Sequence, residues 1–115
     1  MSYGNKVDAN HAELRDEVFR PLCKQVLDCS QYGFGLSDLI ILTQDNVFLM
    51  VEIKDGKKAP SRRRLTEMQV ETAKRFPEHF LVAKDRLSAE LICYPTFPGT
   101  RANYSGINYM KEVGQ

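Results

Sequence analysis

The chain has 115 residues, 43% of them hydrophobic and 27% charged, with a formal net charge of +1. That length makes one domain, 1–115, able to hide roughly two-thirds of its unfolded surface, and the composition is that of an ordinary globular protein. No run approaches the ~20 apolar residues of a membrane span and the polar opening MSYGNKVDANH is no signal peptide, so no membrane role and an intracellular (cytoplasmic) place are expected.

Residues 1–8 read as a frayed terminus. From Ala9 to Leu27, apolar Leu14, Val18, Leu22 and Val26 recur every fourth position and mark one helical stripe, with Asp8 or Asn10 as its cap. Pro21 removes a backbone donor and disfavours the α region at Arg20, which predicts a kink or two abutting helices. SQYGFG (30–35) reads as a connection. Two continuous apolar runs follow, Asp38 to Leu42 and Val47 to Ile53, around the polar Gln44-Asp45-Asn46. They predict a hairpin with Asn46 in a left-handed turn position, and because neither run alternates, a central place in an α/β sheet. With a 44–46 loop, Thr43 pairs with Val47 and Asp38 stands opposite Glu52 on the same face; a slip of one residue would part them.

Thr66 and Gln69 form a capping box for a second helix, with Leu65 and Val70 as its hydrophobic staple and Pro77 ending it after about Phe76. HFLVAK (79–84) reads as a third strand. LSAELICYP (87–95) is open to helix or strand, with the strand expected. From Thr96 onward there is no clear periodicity, so 96–115 reads as a loop or partner-contacting arm, with Tyr94, Phe97, Tyr104 and Tyr109 as candidate contact residues.

Cys23, Cys29 and Cys93, with His11 and His79, have no metal-ligand spacing; buried or free reduced thiols are expected instead of a zinc site. Residues 54–64 (KDGKKAPSRRR) hold six basic side chains and one acidic one. Lys57, Lys58, Arg62, Arg63 and Arg64 can attract phosphates, or simply be solvated. Asp38 and Glu52, if adjacent, repel unless a cation or a proton intervenes. A hard ion, Mg²⁺ or Mn²⁺, fits two carboxylates, a backbone carbonyl and waters. Lys54 beside it can orient a water or offset charge on phosphorus, the parts that phosphodiester hydrolysis needs. Each residue also has a plainer reading. Asp38 marks a turn, Glu52 and Lys54 make an exposed pair worth ~0–1 kcal/mol, and Glu13 and Glu17 face water.

Gly35-Leu36-Ser37-Asp38, then Val51-Glu52-Ile53-Lys54, the basic loop and Leu65-Thr66-Glu67-Met68-Gln69 together resemble the PD-(D/E)XK nuclease superfamily. Within it they resemble the VRR-NUC-type nucleases of phages and repair enzymes, over roughly residues 10–85. The resemblance implies an α/β fold with a single small mixed β-sheet flanked by helices, a restriction-endonuclease-like core in the order α-β-β-β-α-β. It implies Mg²⁺ or Mn²⁺ held by Asp38, Glu52 and the Ile53 carbonyl. Lys54 would then assist the nucleophilic water and Gln69 support the site, while Glu13 (Glu17 in reserve) joins the metal. It also implies a homodimer resembling Holliday-junction resolvases. Ser37 departs from the usual proline, and no first strand is visible between Cys29 and Gly35. The expected function is a divalent-metal-dependent DNA endonuclease acting on branched, flapped or junction DNA. The alternatives are a catalytically inactive nuclease-fold module that binds nucleic acid or a protein partner, and a plain structural domain.

Overall fold

The hairpin around residues 44–46 is the centre of the fold. In a computed structural model, which describes residues 8–32, 36–94 and 100–115, β2 (Leu39–Leu42) and β3 (Phe48–Ile53) pair antiparallel in the predicted register, Leu39 with Val51 and Leu42 with Phe48. The Thr43 N–H closes the ladder onto the Val47 carbonyl at 3.0 Å. Asn46 takes φ +65°, the left-handed geometry that asparagine tolerates and most side chains avoid. Gly35, Phe97 and residues 1–7 of the expected frayed terminus lie outside the described residues.

β1 (Gln25–Asp28) pairs antiparallel with β2, and β4 (Phe80–Ala83) pairs parallel with β3, giving one four-stranded mixed sheet in the order β1-β2-β3-β4. β1 corrects two expectations. The first helix does not reach Leu27: it runs as α1 (His11–Leu14), a π-turn (Arg15–Phe19) and α2 (Arg20–Leu22), and Cys23 is already extended. The first strand therefore lies before Cys29, not after it. Val26 misleads because it extends the four-residue stripe while packing as a strand residue against the same core. The widened turn stands where Pro21 predicts a break; Arg20 keeps helical angles of −61° and −45°.

The two sheet faces carry separate cores. Leu39, Ile41, Leu49, Val51, Ile53, Leu81 and Ala83 pack on Leu14, Val18 and Phe19 and on α4 (Arg86–Cys93). Phe80 and Val82, with Met50, pack under α3 (Glu67–Arg75) and α5 (Gly106–Glu112). This is the alternation of a strand whose successive side chains point to opposite faces. α3 begins with the predicted capping box, Thr66 and Gln69 bonding reciprocally, and ends at Phe76 before Pro77.

α4 corrects the strand expected over 87–95. Asp85 and Ser88 form a second capping box, and Ser88, Ala89, Ile92 and Cys93 supply a helical stripe of buried positions. The tail is corrected too. Thr100–Tyr104 is a 3₁₀ turn and α5 follows, capped by Ser105, with Gly106, Tyr109, Met110 and Val113 turned inward. Tyr109 is thus a core residue. Among the described residues no helix is long and apolar enough to cross a membrane.

Candidate active site

β2 is two residues shorter than β3, and that difference creates the site. Thr43 and Val47 form a hydrogen-bonded pair, so the alternation of an antiparallel ladder turns the N–H and C=O of Leu49, Val51 and Ile53 towards β2. At Ile53 no β2 backbone remains to pair. The Asp38 carboxylate replaces it, its Oδ2 accepting the Ile53 N–H at 2.9 Å. The Ile53 carbonyl leaves the same strand edge. Asp38 is itself pinned from the other side, its carbonyl accepting the Cys29 N–H at 2.7 Å.

Glu52 points to the opposite face from Ile53, and its residue is only 5% exposed. Lys54 Nζ lies 3.8 Å from its Oε2, while Oε1 is buried with no hydrogen-bond partner. Burial pushes the Glu52 carboxyl well above the usual range, and the Asp38 charge pushes it further. Asp38 is also raised, by burial, against the pull of the Ile53 N–H and of a hydrogen bond shared with Glu52. The two carboxyls therefore hold a proton between them more readily than free carboxyls do.

The start of the first helix reaches this strand end through Asn10, expected only as a cap, and His11, expected to have no metal role. The Asn10 amide does not cap α1; its Nδ2 donates to the carbonyls of Lys54 (3.1 Å) and Lys84 (3.3 Å), tying α1 to the exits of β3 and β4. His11 is 2% exposed, with Nε2 3.2 Å from Asp28 Oδ2 and Nδ1 buried without a partner. Asp28 also accepts from Arg15 and from the Ser30 N–H and hydroxyl. Burial would raise the Asp28 carboxyl, but these donors hold it below the usual range. Asp28 lies 17 positions from His11, so no local pattern announces the pair.

The other expected residues have partners of their own or face solvent. Glu13 and Glu17 both grip Arg86, at 3.0 and 2.9 Å, on the outer side of the first helix. Gln69 is half-buried at the start of α3, its amide oxygen engaged by the Thr66 N–H. Lys57, Lys58, Arg62 and Arg64 are exposed around a 3₁₀ turn (Pro60–Arg62), with Lys58 paired to Asp8 at 3.1 Å. Arg63 is turned inward. It donates to the Lys58 carbonyl, Tyr109 Oη and Glu112, and the Tyr109 hydroxyl donates to its carbonyl.

The donor set fits a small hard cation: two adjacent carboxylates, one with an oxygen otherwise unsatisfied, and a carbonyl on the same strand edge. Among the described residues no three His, Cys, Asp or Glu side chains gather at one point, so the fit rests on Asp38, Glu52 and the Ile53 carbonyl. Comparison with protein-family models, curated proteins and solved structures finds no match to this chain.

Proposed function

We propose that this protein is a divalent-metal-dependent DNA endonuclease that hydrolyses phosphodiester bonds, with branched, flapped or junction DNA as its substrate class. The observation that carries the reading is the Asp38–Glu52 pair at the frayed end of the β2–β3 hairpin, with Lys54 3.8 Å from Glu52. A buried carboxylate pair is costly to keep unless something uses it. Asp38, Glu52 and the Ile53 carbonyl would hold Mg²⁺ or Mn²⁺, which supplies an acidified water and charge neutralisation at phosphorus. Lys54, one pleat beyond Glu52, orients the attacking water and offsets the charge that gathers on the phosphate oxygens. Lys57, Arg62 and Arg64, exposed just past Lys54, hold the DNA backbone, a sequence-independent attraction weakened by salt.

The same reading includes a homodimer in which each protomer cuts one strand. Exposed Leu27 and Phe48, at the uncovered half of the sheet, offer apolar surface of the kind such an interface uses.

The test is cleavage of labelled linear duplex, flap, four-way junction and supercoiled plasmid with Mg²⁺, Mn²⁺ or EDTA. Metal-dependent cutting by the wild type, abolished in folded Glu52→Gln and Lys54→Ala, supports the reading. DNA binding without cutting favours the inactive binding module, and neither binding nor cutting removes both.

A further inference from the structure

Cys23 and Cys93 lie 70 positions apart, yet their sulfurs are 3.6 Å from each other. Cys23 follows the last turn of α2, where the chain leaves the helix for β1, and Cys93 ends α4. The pair therefore joins the exits of two helical segments that cover the same sheet face. Both are free thiols, as is Cys29, whose sulfur donates instead to the Leu27 carbonyl. A fixed cation stands beside the pair: the Arg101 guanidinium donates to the carbonyls of Ile92 (2.7 Å) and Cys93 (3.1 Å) and is held by Asp45 at 2.8 Å.

We propose that Cys23 and Cys93 are an oxidisable dithiol, a site of reversible covalent modification by small hydroperoxides, with Cys23 as the attacking sulfur and Cys93 as the resolving one. Two observations assign those roles. Cys23 is 8% exposed against 1% for Cys93, so a molecule the size of hydrogen peroxide reaches it first. The hydrogen bond from Cys93 holds the Cys23 thiol below its usual range, with Arg101 pulling the same way against burial; Cys93 is raised by the same bond and by burial. A thiolate next to a cation is the reactive form of cysteine.

In the first step the Cys23 thiolate attacks one peroxide oxygen. The O–O bond breaks, hydroxide leaves, and Cys23 becomes a sulfenic acid, oxidised by two electrons as the peroxide is reduced. Cys93 then attacks the Cys23 sulfur. Its proton and the sulfenic hydroxyl leave as water, and the S–S bond forms as the sulfurs close from 3.6 Å to about 2.05 Å. External thiol reverses the bond by exchange. The crosslink ties α2 to α4, holding the first helical segment, and with it Asn10 and His11, against the sheet. The proposal does not depend on the nuclease reading.

The test is intact-mass and peptide mapping of the full chain after limited hydrogen peroxide, with and without dithiothreitol. The expected product is two hydrogens lighter, carries a Cys23–Cys93 linkage, leaves Cys29 free and melts higher until reduced. In Cys93→Ser, dimedone labelling of Cys23 rises several-fold, because the sulfenic acid has no partner. Oxygen addition to wild type without loss of two hydrogens, or a linkage through Cys29, would overturn the proposal. The wild-type measurement decides it even where a serine variant folds poorly.

Discussion

The Asp38 side chain completes the backbone ladder of a strand it does not belong to, accepting the Ile53 N–H at 2.9 Å where β2 has run out. One carboxylate oxygen thus does a structural job, and the rest of the group is held against Glu52. Burial and mutual repulsion make this pair hard to ionise.

A carboxyl whose folded pKa is raised contributes stability below its unfolded pKa, and loses it as pH rises through the folded value. In metal-free buffer the Asp38–Glu52 pair therefore lowers stability as pH climbs from the ordinary carboxylate range, about pH 4, upwards. Glu52→Gln removes that loss. The variant should melt several degrees above wild type at about pH 8, with the gap closing towards about pH 4. Thermal unfolding of both proteins in chelator across that range checks this. Asp28 has the opposite sign: its depressed carboxyl favours the folded state at neutral pH and ceases to do so in acid.

The basic loop divides into one internal arginine and several external ones. Arg63→Ala leaves the Tyr109 hydroxyl without its donor and Glu112 with Lys84 as its remaining one, and should cost about 1–3 kcal/mol. Arg62→Ala and Arg64→Ala should change stability by under ~0.5 kcal/mol. Each should also flatten the salt dependence of DNA affinity by about one unit of slope, because one fewer cation then neutralises a phosphate. Urea unfolding and DNA binding at several salt concentrations separate the two effects.

Gly106 opens α5 where a side chain has no room. A Cβ there would stand 2.7 Å from the Ala73 Cβ and 2.8 Å from Phe80 Cδ1. Gly106→Ala should lift α5 from α3 and β4 and cost about 1–3 kcal/mol in chemical denaturation.

The hairpin depends on one backbone position. Asn46→Gly should be tolerated, since glycine also adopts φ +65°. Asn46→Val should cost about 1–2 kcal/mol by chirality alone and also remove the acceptor that Asn46 Oδ1 offers to Lys24. Melting temperatures of the two variants test it.

What the sequence made legible was local. The hairpin register followed from loop length, and with it the meeting of Asp38 and Glu52; the Thr66 capping box and the end at Phe76 followed from spacing. All but one of the misses required knowledge of distant chain. Val26 fits a helical stripe and a strand equally well, and only pairing with Ile41 decides. Asp85 and Ser88 carried a cap signal that would have turned 87–95 into a helix. Glu13 had the right charge on the right helix, but Arg86, 73 positions away, holds it outside. Asn10 signalled only a helix cap and His11 no partner, because the groups they meet are Lys54, Lys84 and Asp28.

The most direct test is calorimetric titration of Mn²⁺ into the metal-free protein, run in two buffers of different ionisation enthalpy. The account predicts a saturable site whose binding expels a proton held by Asp38 and Glu52, and which disappears in folded Glu52→Gln. Absence of binding, or binding unchanged in Glu52→Gln, would contradict it.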